Sequence, residues 1–299
     1  MQWAGGDLAE VVAGMFDARV VASGRVAGGD AGDAYKIRLS PLDPGAGAGF
    51  TVFAKTTVVP RPGAFAAEAA GLAWLRETNT VRTPEVLAVR DDAELAHRFI
   101  VLEWIAMAPP APDHDERLGQ ALADLHRFPC ARFGLDGPNF VGALPQANQP
   151  EPTWAEFYAT QRLEPLVRAA VDAGRLPERA TDKLQRLLGR LPDLIGPVEP
   201  PSRLHGDLWA GNAMVGPDGG PVLVDPATYG GHREMDLAMM RLFGGFGDRV
   251  FSAYHEAHPL AEGHAERAEL HQLYPVLVHV NLFGGSYAGQ ALRILDRYA

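Results

Sequence analysis

The stretch Met107–Pro112, MAPPAP, divides the chain into two halves of different character. Its prolines fix φ and remove backbone donors, so neither a helix nor a paired strand runs through it. Before it the pattern is short and mostly strand-like. Asp7–Val12 reads as a brief helix. Val20–Ser23, Ala34–Leu39 and Phe50–Lys55 read as strands, with Tyr35, Ile37 and Leu39 alternating with Lys36 and Arg38. The turns between them, GGDAG at 28–32 and PLDPGAGAG, make this an antiparallel meander. A helix over Ala64–Glu77 and two strands, Pro84–Val89 and Phe99–Glu103, complete the half. After the break, Asp115–His126, Trp154–Ala173 and Pro177–Leu191 have helical spacing, and Pro165 is expected to interrupt the second. Ala213–Val215 and Val222–Asp225 flank GPDGG, a hairpin signal, and from Glu234 onward the chain reads as mostly helical. The expected fold class is α+β, with a small antiparallel-sheet lobe over residues 1–105 and a larger helical lobe over 106–299.

Charge narrows the partners. The formal net charge of −10 argues against nucleic acid or an anionic membrane, yet leaves room for an anionic ligand in a local basic pocket. A single cysteine, Cys130, forms no intrachain disulfide and fits a reducing compartment, where it reads as a small apolar filler. The N-terminal MQWAGGDLAEVVAG lacks the basic start and apolar core of a signal peptide, and no apolar run reaches membrane-span length. The expectation is a cytoplasmic protein. Of the 27 basic residues only Lys36, Lys55 and Lys183 are lysines, so each lysine stands out.

Chemistry concentrates in His205–Asn212, HGDLWAGN. It fits H-x-D-L-x-x-x-N, the catalytic-loop pattern of protein kinases, with Gly206 in place of arginine. Four further features stand in the order a kinase requires. A Gly-rich turn containing Gly28 and Gly29 precedes a strand that ends in Lys55. Glu68 lies on the next helix, and Asp225 follows Asn212 across a hairpin. Phosphoryl transfer from ATP needs alignment and charge neutralisation more than covalent help. Lys55 would hold the α/β-phosphates, with Glu68 fixing its ammonium. Asn212 and Asp225 offer the hard oxygen donors that suit Mg²⁺. Asp207 would orient the acceptor hydroxyl and take its proton. Two absences point to a small-molecule acceptor and no activating phosphorylation. Gly206 lacks the guanidinium that pairs with a phosphorylated loop, and ten residues between Asp225 and Asp236 leave no long activation segment.

With these residues in view the chain resembles the fructosamine kinase (ketosamine-3-kinase) family, within the aminoglycoside-phosphotransferase and choline-kinase-like group. The resemblance rests on LHGDLWAGN, VLVDPATYGGHREMDLAM, LFGGF, LYPVLVHVNLFGGSY and FGLDGPNFVGALPQAN, and it spans essentially the whole chain. It implies a bilobal protein-kinase-like fold, ATP and Mg²⁺, and phosphorylation of the 3-hydroxyl of a free or protein-bound ketoamine. The unstable product frees the amine, a deglycation role. It also implies a hinge at Glu103, Trp104 and Ile105 that meets adenine, and a bracing role for Asp236. Relatives with a redox-switch cysteine in the Gly-rich loop differ from this chain, whose loop has none.

His205 reads as support for the loop rather than as a reacting group. Trp209 offers an aromatic face to a sugar or plain packing in equal measure. His279 and Asn281 are candidates to line the acceptor site, and His126 reads as structural. Two alternatives compete: another small-molecule kinase acting on an aminoglycoside, choline or a sugar, and a nucleotide-binding pseudokinase. The complete set of Lys55, Glu68, Asp207, Asn212 and Asp225 argues against the latter.

Overall fold

The computed structural model describes residues 5–26, 32–57, 61–91 and 98–299. The alternation seen in the first half becomes a five-stranded antiparallel sheet. Its strands are β1 (Ala18–Val26), β2 (Asp33–Pro41), β3 (Phe50–Thr57), β4 (Val86–Arg90) and β5 (Arg98–Glu103), in the order β1-β2-β3-β5-β4. One face, carrying Tyr35, Ile37, Leu39, Val52, Ala54, Phe99 and Val101, is covered by α1 (Gly5–Met15) through Leu8, Ala9 and Val12. The other face, with Ile100 and Leu102, packs on Phe65 and Leu72 of α2 (Ala64–Arg76). β5 is sandwiched between the two helices, which is why RFIVLE reads as a continuous apolar run rather than an alternation. The period-2 geometry puts Ala54 under α1 and turns Lys55 to the α2 side.

The second half is helical, as expected. It comprises α3 (His114–Arg127), α4 (Trp154–Phe157), α5 (Glu164–Asp172), α6 (Arg179–Leu194), α7 (Glu234–Phe243), α8 (Asp248–Ala257), α9 (Ala268–Phe283) and α10 (Ser286–Tyr298). Pro165 does not interrupt the second helical run. A π turn over Tyr158–Leu163 carries the chain from α4 into α5, and the run stays helical through Pro165, the second residue of α5. Three short antiparallel pairs are embedded among the helices: β6 (Asn139–Val141) with β7 (Leu144–Gln146), β8 (Ser202–Leu204) with β11 (Tyr229–Gly231), and the anticipated hairpin β9 (Ala213–Val215) with β10 (Pro221–Leu223). The first two pairs have no sequence signature, since three-residue strands are too short to show a period.

A charged cluster closes the base of this half. Arg267 grips the Glu234 carboxylate through Nε (2.8 Å) and Nη2 (2.5 Å), and Arg233 does the same to Glu199 (2.7 and 2.8 Å). The buried rings of His232 and His271 stack at 5.4 Å beside them. Burial, with His271 adjacent, holds the His232 pKa down at about 4. Between pH 6.5 and about 4 the unfolded chain therefore binds a proton that the folded protein refuses, so stability falls as pH drops through that window. We expect chemical denaturation to show a loss of about 3 kcal/mol from this group between those limits. His232→Gln, which retains an acceptor for the Glu234 N–H, should flatten that slope.

Candidate active site

β8 and β11 fasten the two ends of the segment 205–228, with Leu204 opposite Tyr229. Inside it the loop is built on buried polar contacts. The His205 ring is fully buried, donates from Nε2 to the Val224 carbonyl (2.9 Å) and accepts the Asp207 N–H at Nδ1 (3.3 Å). These partners define the neutral tautomer, and burial lowers the pKa in the same sense. Asp236, 1% exposed, accepts the N–H groups of His205 (2.8 Å) and Gly206 (2.9 Å) and a bond from His126 Nε2 (3.2 Å). Burial alone would raise the Asp236 pKa, yet His126, His205 and the Gly206 N–H hold it below the ordinary value.

Gly206 is a glycine for a steric reason. Its φ is +82°, and a Cβ there would run into the Ala227 carbonyl and come within 3.2 Å of the Tyr229 ring. The arginine of the protein-kinase pattern has no space at this position.

Asp207, Asn212, Asp225, Lys55 and Glu68 form one continuous chain of contacts. Asn212 Nδ2 donates to the Asp207 carbonyl (2.8 Å) and to Asp207 Oδ2 (3.2 Å). The Val224 N–H bonds the Asn212 carbonyl (3.0 Å), which brings Asp225 alongside. Asp225 adopts φ +54°, a left-handed conformation found at strained functional turns. Its carboxylate pairs with Lys55 Nζ, which also bonds Glu68 Oε1 at 2.8 Å. Burial would lower the Lys55 pKa, but Glu68 and Asp225 together raise it, so the ammonium stays charged. This arrangement presents a fixed cation for phosphate oxygens. With the Asn212 amide nitrogen turned to Asp207, its Oδ1 and the half-exposed Asp225 carboxylate are hard-oxygen donors of the kind that could hold Mg²⁺.

The remaining candidates are placed unevenly. Gly28 and Gly29 lie outside the described residues, although the flanking pair Val26–Ala34 is formed. The Glu103 N–H is taken by the Glu85 carbonyl (2.8 Å) and its carboxylate by Arg82 (3.0 Å). Trp104 and Ile105 follow the last strand residue. The Trp209 ring lies across Gly211 and remains 41% exposed. His279 bonds the Pro275 carbonyl through Nδ1 (2.8 Å) and faces Phe243, Phe283 and Tyr287 at 4.8 to 5.5 Å. Phe243 lies two residues before Gly245, which abuts Ala210 of the catalytic loop. Asn281, the other residue expected to line the acceptor site, is held by backbone carbonyls on two helices. Its amide donates to Leu166 (3.0 Å) and Leu277 (2.9 Å) and ties α9 to the start of α5. Residues two apart on a helix face different sides.

Sequence reasoning missed what lies under residues 225–229. Asn139 donates to the Thr228 carbonyl (2.7 Å) and Gln146 to the Ala227 carbonyl (3.2 Å). Asn148 bonds Asn139 (2.7 Å) and accepts from Arg162 (3.0 Å), whose buried guanidinium lies against the Tyr229 ring at 4.0 Å. The signal available was three amides, Asn139, Gln146 and Asn148, set in an otherwise apolar segment. His232, Glu234 and His271 have metal-ligand spacing, the one such group among the described residues, but Arg267 grips the carboxylate with both nitrogens and opposes a dication there. We expect Gly206→Ala to reduce unfolding free energy by about 2 kcal/mol or more, read by denaturant titration. Wild-type stability would show that the Ala227 carbonyl can retreat.

Comparison with known proteins places this geometry. The fructosamine kinase family profile matches residues 9–299. A Synechocystis protein named "Probable ketoamine kinase" is 40% identical over 236 residues, 78% of each chain. A Thermobifida fusca crystal structure bearing a fructosamine-3-kinase designation superposes with a TM-score of 0.85 at 39% identity, covering 97% of both chains. An amicoumacin kinase solved with AMP-PNP and Ca²⁺ shares the fold, with a TM-score of 0.60 at 11% identity over 99% of this chain and 93% of its own. Two lobes of protein-kinase-like α+β architecture, a lysine, glutamate and aspartate joined across them, and a profile match over nearly the whole length lead to one assignment: the chain belongs to the fructosamine kinase family.

Proposed function

We propose that this protein is an ATP-dependent, Mg²⁺-requiring kinase that phosphorylates the 3-hydroxyl of ketoamines, free or protein-bound, with its lobes dividing between residues 105 and 106. The carrying observation is the contact chain from Glu68 through Lys55, Asp225 and Asn212 to Asp207, which sets side by side the residue types that phosphoryl transfer uses. The ketoamine names of the relatives at 39–40% identity supply the acceptor class. The single cysteine and acidic charge fit the cytoplasm.

In this reading Lys55 binds the α/β-phosphate oxygens while Glu68 keeps its ammonium from rotating away. Asn212 and Asp225 would hold Mg²⁺, which when bound neutralises charge on the transferring phosphates. The backbone of Glu103, Trp104 and Ile105 meets adenine. Asp207 accepts a hydrogen bond from the acceptor hydroxyl, aligns the oxygen and takes its proton. The oxygen–phosphorus bond forms as the bond to the leaving ADP oxygen breaks. Asn212 holds the Asp207 carboxylate in place during this step. Trp209 and His279 flank the acceptor, offering an aromatic face and, with Nδ1 turned to Pro275, a free Nε2 lone pair. The 3-phosphorylated ketoamine decomposes and frees the amine, which makes the role deglycation.

The test is product identification after incubation with Mg·ATP and, separately, fructosyl-lysine, ribulosyl-lysine, kanamycin and choline. Phosphorylated ketoamine is expected; turnover of kanamycin or choline alone would replace the acceptor assignment, and nucleotide binding without turnover would mark a pseudokinase. Asp207→Asn should lower kcat at least about 10²-fold while nucleotide affinity stays within twofold, as loss of a general base predicts.

A further inference from the structure

The Lys55–Glu68 bond exists only while α2 stays docked. Beyond its apolar packing on the sheet, three further contacts hold it. At its N-terminus, Asp91 accepts the Ala66 N–H at 3.0 Å. At mid-helix, Gly71 lets α2 approach the chain just beyond Asp225, since a Cβ there would lie 3.1 Å from Thr228 Oγ1 and 3.3 Å from Pro226 Cγ. The third contact is Arg203. From β8 its Nη1 donates to the Trp74 carbonyl (2.6 Å), one of the last carbonyls of α2, and to Glu77 Oε2 (3.0 Å). The guanidinium lies between the Trp74 ring (4.7 Å) and the Phe128 ring (4.6 Å), and its side chain is 13% exposed. A cation at a helix C-terminus meets the negative end of the dipole and satisfies an orphan carbonyl. A planar guanidinium also stacks on both rings.

Arg203 lies four residues before Asp207 and pairs across the strands with Gly230. One side chain therefore joins the helix that carries Glu68 to the strand that leads into the catalytic loop. Kinases whose glutamate-bearing helix swings need a modification to bring it in. Here the chain has ten residues between Asp225 and Asp236 and no side chain at Gly206 to read such a modification. We infer that Arg203 is a positioning residue: by capping α2 it holds Glu68 and Lys55 in phosphate-binding register without nucleotide, in place of an activating modification. The inference rests on the kinase reading but not on the identity of the acceptor.

Nucleotide affinity measured by calorimetry with Mg·AMP-PNP tests it without any acceptor. Arg203→Leu should weaken Kd about tenfold, the size of a lost charged helix cap. Arg203→Lys, which keeps the charge but not the stacked plane, should fall between. Because the effect runs through Glu68, adding Arg203→Leu to Glu68→Gln should weaken Kd less than it does in the wild type. A lower Tm with unchanged Kd would make Arg203 merely structural and overturn the proposal, as would full additivity with Glu68→Gln. If Arg203→Leu does not fold, Arg203→Lys decides: an unchanged Kd overturns the inference.

Discussion

A buried carboxylate governs the rest of the structure. Asp236 holds two consecutive N–H groups of the catalytic loop, and it remains ionised in the interior because those donors and His126 replace the water it has lost. With the His205 and Gly206 amides anchored, the loop takes a left-handed turn at Gly206, the Asp207 N–H meets the His205 ring, and Asn212 closes back on Asp207. The geometry of the loop bearing Asp207 is set from α7, a helix about thirty residues further along.

The second constraint is the meeting of the lobes. Lys55 on β3, Glu68 on α2 and Asp225 beyond β10 share one partly buried cluster of two carboxylates and one ammonium. Such a cluster favours the charged ammonium only while both carboxylates stay close, so its integrity depends on what fixes α2 and residues 225–229. Arg203 and Gly71 hold the helix. The Asn139–Gln146–Asn148 amides, anchored by the buried Arg162, hold the carbonyls of Ala227 and Thr228. The β6–β7 pair thus serves as a floor for residues 225–229.

The candidate groups were legible because each belongs to a local pattern. Lys55 ends an alternating strand, Glu68 lies on an Ala-rich helix, and Asp207 and Asn212 share one loop five residues apart. The floor and the clamps were not legible. Arg162 sits in a π turn whose register no helical period reveals, Arg203 sits in a three-residue strand, and Asn281 shares a segment with His279 but faces α5. In each case one partner, Asn148, Trp74 or Leu166, lies more than ten residues away, and residue type does not say which neighbour satisfies a buried donor.

By itself the sequence determined the two-lobe α+β order, the identity of the five reacting candidates and the family, because periodicity and motif spacing are local properties of the chain. Only the tertiary structure decided that Gly206 must lack a side chain, that Asp236 takes both loop amides, that Asn281 is tied to Leu166, and that Arg203 caps the helix bearing Glu68. Those outcomes depend on which distant groups the folded chain brings within hydrogen-bond reach, a three-dimensional condition that no stretch of residues contains.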